Sequence, residues 1–113
     1  MLKCGTWNIK GLYERCGGAR ICKLEYDDVK RVIQEHDIYG LSETHTDSSD
    51  NFVFEGYKIF RANRKKKGKA KKNFGGIAVF VKDLYIKGID IIYRSSEYLW
   101  LKLRKEFFKF AYD

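Results

Sequence analysis

The chain has 113 residues, 44% of them hydrophobic and 16% aromatic, which is enough apolar material for one core in one domain or part of one. Its formal charge is +8, from 23 Lys and Arg against 15 Asp and Glu, and no apolar run approaches the roughly 18 residues of a membrane span. No secretory signal is read ahead of the first strand-like stretch, and Cys4, Cys16 and Cys22 lack zinc-ligand spacing, so reduced thiols in an intracellular protein are expected.

In chain order, Leu2 to Asn8 reads as a short strand with Leu2, Cys4, Thr6 and Asn8 on one face under the two-residue period. Gly11, Gly17 and Gly18 then mark a loop. From Tyr26 to Glu35, Tyr26, Val29, Val32 and Ile33 recur at helical spacing, and Asp27 and Asp28 near the start suit the helix dipole. Ile38 to Ser42 has the length and composition of a strand following that helix. Strand, helix and strand make a βαβ unit, whose crossover brings both strand C-termini to one sheet edge. Asn8 and Glu43 occupy those ends. Their residue types alone allow two readings: an amide capping a turn beside a solvated carboxylate, or a pair of oxygen donors for a hard cation.

Further strands are expected at Tyr57 to Phe60, Ile77 to Val81, Ile89 to Tyr93, Tyr98 to Leu103 and Phe107 to Tyr112, all rich in β-branched and aromatic residues and free of proline. In the fourth of these, Leu99, Leu101 and Leu103 alternate with Tyr98, Trp100 and Lys102, which predicts one buried face and a core or inter-layer place for Trp100. The segment 61–72 carries Arg61, Arg64, Lys65, Lys66, Lys67, Lys69, Lys71 and Lys72 without one acid. Outside it basic and acidic residues balance, so the whole excess charge sits on one stretch, as in a polyanion-binding loop or a solvated lysine run.

Thr6-Trp7-Asn8 after a strand, Glu43-Thr44-His45 after the next, and Gly75-Gly76-Ile77-Ala78-Val79 opening a later one occur in that order. Together they resemble the endonuclease/exonuclease/phosphatase superfamily, in wording closest to the endonuclease domain of non-LTR retrotransposon polyproteins. The resemblance covers nearly the whole chain. It implies a mixed α/β fold, with residues 1–113 as the N-terminal part of a four-layer α/β sandwich in which the βαβ unit leads into a strand-rich mixed sheet.

The resemblance further implies that Glu43 is the principal metal-ligating carboxylate and Asn8 the amide that supports the metal or a phosphate oxygen. Mg²⁺ is the expected cofactor, with Mn²⁺ as an alternate, and DNA the expected partner, with RNA as an alternate. A reverse-transcriptase domain in the same polypeptide and a nuclear location are implied as well. The basic segment 61–72 would hold the nucleic acid. His45 could reach the same rim and is assigned no role as general base. The family's Asp-x-Asn motif, its phosphate-side tyrosine and its closing Asp-His pair have no counterpart in the sequence, so residues 1–113 alone are expected not to cleave DNA. Other readings are a repair nuclease or an inositol or lipid phosphatase of the same superfamily, and a non-catalytic basic module that binds nucleic acid.

Overall fold

The computed structural model describes residues 2–47, 49–62, 75–94 and 99–103. The run Arg64 to Lys72 and the expected strand Phe107 to Tyr112 lie outside these residues, as do the side-chain placements expected along Tyr98 to Leu103. The fold is mixed α/β. A four-stranded sheet contains β1 (Cys4–Asn8), β4 (Ile38–Ser42), β5 (Tyr57–Ala62) and β6 (Ile77–Lys82), in the order β1-β4-β6-β5. β1 and β4 run parallel, whereas β6 is antiparallel to both β4 and β5.

The expected βαβ unit is present, with one addition. The stretch read as a loop around Gly17 and Gly18 is a hairpin, β2 (Tyr13–Cys16) against β3 (Ala19–Cys22). Gly17 and Gly18 take φ of 59° and 85°, the left-handed pair that a two-residue hairpin turn requires. A glycine-glycine pair is among the two-residue turn signals for a hairpin, and it was legible in the sequence. A 3₁₀ turn at Lys23–Glu25 leads into α1 (Asp27–Gln34), and β7 (Ile89–Arg94) pairs with β8 (Leu99–Leu103) in a separate two-stranded sheet.

The two-residue period sorts the sheet's side chains onto two faces. On the first, Tyr39 and Leu41 of β4 with Ala78 and Phe80 of β6 pack under Val29 and Ile33 of α1, together with Ile9, Leu12, Leu24 and Phe54. On the second, Phe60 of β5 and Val81 of β6 meet Ile89, with Leu2, Ile38, Val79, Tyr85 and Ile86 around them. α1 is short and has no side-chain N-cap, so its docked apolar face must hold it. β5 reaches its C-terminal end: the Tyr57 hydroxyl donates to the carbonyl of His36, just past the helix, at 2.7 Å and lies 3.0 Å from that of Ile33 in its last turn.

Asp37 ties the start of β1 to the end of β6. Its carboxylate accepts the Lys3 backbone N–H at 2.8 Å and pairs with the Lys82 ammonium at 3.2 Å. Its own N–H donates to the Lys3 carbonyl, and its carbonyl accepts from Lys82. These contacts fix one end of the sheet. The candidate site lies at the other.

Candidate functional site

The pairing registers align four residues in one row across the sheet: Asn8 opposite Ser42, Ser42 opposite Ile77, and Ile77 opposite Ala62. Three steps of about 4.8 Å separate the outer strands of that row. Asn8 and Glu43 are therefore on the same rim, Glu43 being the residue after Ser42, and both are exposed. The two points from which segment 63–74 departs, Ala62 and Gly75, belong to this rim as well.

Beyond the row, backbone bonds continue and tie the sequence motifs together. The N–H groups of Ile9, Gly11 and Leu12 donate to the carbonyls of Ser42, Glu43 and Thr44 at 3.0, 2.7 and 2.8 Å. On the other side, the N–H groups of Thr44 and His45 donate to the carbonyls of Gly76 and Gly75 at 3.2 and 2.7 Å. Glu43-Thr44-His45 is thus threaded between the segment after β1 and the glycine pair before β6.

This threading requires unusual backbone. Lys10, Glu43 and His45 sit at φ of 52°, 51° and 53°, a left-handed conformation costing roughly 1–2 kcal/mol for a residue with a Cβ. Such outliers persist where the surroundings over-determine them, and they concentrate at functional sites. Between the two rim outliers Thr44 is 1% exposed, and its hydroxyl lies 3.1 Å from that of Thr46, also 1% exposed. Gly76, at φ 90°, is needed for space as well as for conformation, because a Cβ there would come within 2.6 Å of Thr44 Oγ1. At Gly11, φ 92°, a Cβ would meet His45 Nδ1 at 3.3 Å, so the His45 ring lies against the loop after β1.

The two strand-end residues, Asn8 and Glu43, offer oxygen donors. Asn8 Oδ1 accepts the Lys10 N–H at 3.1 Å, the turn-capping contact its residue type allows, and retains a second lone pair. Glu43 supplies the one carboxylate from the two strand ends. Among the described residues no group of three or more His, Cys, Asp or Glu side chains could hold a metal ion. One carboxylate and one amide suit a Mg²⁺ ion that keeps several waters and takes substrate phosphate, and are too few for an ion held by protein alone.

Arg61 stands apart from the basic run it opens. Its guanidinium donates to the carbonyls of Asp50 and Asp47 at 2.6 and 2.8 Å and to Thr46 Oγ1 at 3.3 Å, and it lies 4.3 Å from the centre of the Phe52 ring. Burial lowers its pKa, which the nearby Asp50 carboxylate partly counters. Its contacts hold the loop after His45 against the sheet. Arg20 does the same from the hairpin, pairing with Asp50 at 2.8 Å and stacking 3.8 Å over Tyr13.

A groove of about 750 Å³ beside Trp7 is lined by Glu14, Glu25, Asp27 and Asp28, and its Lys23 ammonium donates to the Ile9 carbonyl at 2.8 Å. That charge disfavours phosphate, so the groove does not extend the site. No protein-family model, curated protein or solved structure matches the chain.

Proposed function

We propose that residues 1–113 form the N-terminal part of a Mg²⁺-dependent nucleic-acid phosphodiesterase domain, similar to the endonuclease of non-LTR retrotransposons. The observation that supports this most is the row Asn8, Ser42, Ile77, Ala62. It gathers on one rim the amide, the carboxylate of the next residue, and both anchors of a segment carrying seven basic residues, Arg64 to Lys72, and no acid. Cation and polyanion chemistry thereby share one edge. In this reading Glu43 holds the ion with its ionised carboxylate, and Asn8 offers its amide oxygen to the ion or to a phosphate oxygen. Mg²⁺, when bound, supplies charge stabilisation at the phosphoryl group. The lysines hold the backbone of the nucleic acid without reading its sequence. General-base and in-line positioning groups typically contribute about 10²-fold or more each. The chain has no match to the family's motifs for them, so the 113-residue chain binds without nicking.

Titration with Mn²⁺, followed by electron paramagnetic resonance in the presence of duplex DNA, tests the ion site. Bound Mn²⁺ is expected in the wild type and lost in Glu43→Gln, which replaces an ionised ligand by a neutral one. Equal Mn²⁺ binding by both proteins removes the assignment. Duplex binding followed by fluorescence anisotropy tests the segment: with roughly four phosphates neutralised, log affinity falls against log salt with a slope of about −3 to −4. Binding that ignores salt, or that survives replacement of Lys65, Lys66, Lys67, Lys69, Lys71 and Lys72 by glutamine, removes that part. Robust Mg²⁺-dependent nicking of supercoiled plasmid by the chain would overturn the division of roles. A second reading, a non-catalytic nucleic-acid-binding module, is favoured by the lack of a third metal-ligating side chain among the described residues. It shares the salt slope and predicts no Mn²⁺ site.

A further inference from the structure

We infer that Arg61 is a positioning residue for the Glu43 rim and not a nucleic-acid contact: through the buried hydroxyls of Thr46 and Thr44 it fixes the strand end that carries Glu43. The consequence for an ion rests on the proposed site at Glu43, whereas the path from Arg61 to that strand end does not. The geometry of the guanidinium separates the two roles. Its Nη2 donates to the Asp47 carbonyl at 2.8 Å and to Thr46 Oγ1 at 3.3 Å, its Nη1 donates to the Asp50 carbonyl at 2.6 Å, and Nε is buried. Both Nη2 protons and one Nη1 proton are thus used inside the protein, so at most one of the five N–H groups can serve a phosphate. A bidentate grip needs two. Arg61 differs in this from the lysines that follow it, although the sequence sets them in one run of like charge.

The path runs through two residues shut off from water. Thr46 accepts from Arg61, and its hydroxyl lies 3.1 Å from that of Thr44, both residues being 1% exposed. Thr44 stands between Glu43 and His45, which are held at φ of 51° and 53°. Backbone of that kind persists only where its surroundings hold it. The bonds from Gly11 and Leu12 on one flank and to Gly75 and Gly76 on the other hold it sideways. Thr44 holds it inward, its oxygen packed so close to Gly76 that a Cβ there would come within 2.6 Å. Arg61 is the far end of this anchor, fixed in β5 opposite Ala78 of β6. The loop it grips moves as one piece, because the Asp47 N–H donates to the Asp50 carboxylate at 2.9 Å and the Asp50 N–H returns to the Asp47 carbonyl at 3.1 Å. Without the guanidinium, Thr46 Oγ1 and two carbonyls lose a charged donor at one stroke, and the loop relaxes towards water with Thr46 and Thr44 in tow.

Amide hydrogen exchange, without metal or nucleic acid, tests the path. In Arg61→Lys, which keeps the charge and loses the planar fork, the amides of Thr44 and His45 should exchange roughly tenfold faster, the factor that one lost charge-assisted bond implies. That factor should exceed any change in the middle of β4 and β6. Thr46→Val should have the same effect, Thr46→Ser should stay near wild type, and the double variant Arg61→Lys with Thr46→Val should add little to either. In the Mn²⁺ titration Arg61→Lys should weaken binding roughly tenfold, the usual scale for a group that orients a metal ligand. Arg61→Met should leave the salt slope of duplex binding unchanged, whereas a lost phosphate contact would reduce it by about 0.9. Unaltered Thr44 and His45 exchange, additive effects of Arg61→Lys and Thr46→Val, equal Mn²⁺ affinity of wild type and Arg61→Lys, or that fall in slope would each overturn the role. A wild type that binds no Mn²⁺ but shows the expected exchange pattern removes the ion site and leaves the positioning role standing. Should the variants misfold, nuclear magnetic resonance of the wild-type guanidinium decides: its Arg61 N–H signals should be protected from water and unmoved by duplex DNA, and rapid exchange or a shift on adding DNA overturns the inference.

Discussion

β6 and β1 belong to the same sheet and both read as strands, yet they live in opposite environments. In β6, Ala78 and Phe80 are fully buried under α1 while Val81 is fully buried on the reverse face. In β1 no residue is buried. The difference arises from neighbours: β6 has a strand on each side and a layer on each face, whereas β1 has β4 alone among the described residues. Strand propensity puts a segment in a sheet, but its place in the strand order decides whether it is core or edge.

Four substitutions sharpen that contrast. Phe80→Ala should have the largest effect, destabilising the chain by about 3–5 kcal/mol in a denaturant titration, because it empties a fully enclosed site between sheet and helix. Gly76→Ala comes next at about 2–3 kcal/mol. The added Cβ would meet a hydroxyl on a buried residue and would sit at φ 90°. It should also disturb the backbone path of Glu43 to His45, so under the proposed ion site this variant should resemble Glu43→Gln in the Mn²⁺ titration although Glu43 itself is unchanged.

Asp37→Asn tests the clamp that holds β1 onto the sheet, at about 1 kcal/mol. Its pH dependence has a definite sign. Burial on its own would raise the Asp37 carboxyl, but the Lys3 N–H and the Lys82 ammonium outweigh it and set the folded pKa below the ordinary 3.8. A carboxyl with a depressed folded pKa contributes stability that is fully present above its unfolded pKa and disappears as pH falls through the folded value. Wild type and Asp37→Asn should therefore differ at neutral pH and converge in acid below about pH 4. Equal stability at pH 7 would remove the clamp.

The smallest effect belongs to Trp7→Ala, which should change monomer stability by less than about 1 kcal/mol despite the size of the side chain. A loss of stability comparable to that of Phe80→Ala would erase the distinction between the two strands.

Much of this molecule was legible in its residues because the signals are local. Val29 and Ile33 at helical spacing report which face of the helix meets apolar surroundings, and the short apolar runs Ile38 to Ser42 and Ile77 to Val81 mark strands. The βαβ order was enough to expect Asn8 and Glu43 at one edge. What only the tertiary structure decided is which elements become neighbours. No local period states that β6 lies between β4 and β5, that Ile77 shares a row with Asn8 and Ala62, or that Arg61 serves the loop at Asp47 and Asp50. Nor does the pair Gly75-Gly76 announce that its carbonyls receive the N–H groups of Thr44 and His45. Those outcomes depend on contacts between residues far apart in the chain. The left-handed backbone at Glu43 and His45 has the same origin, since nothing in either residue favours it and only the bonds on both flanks hold it there.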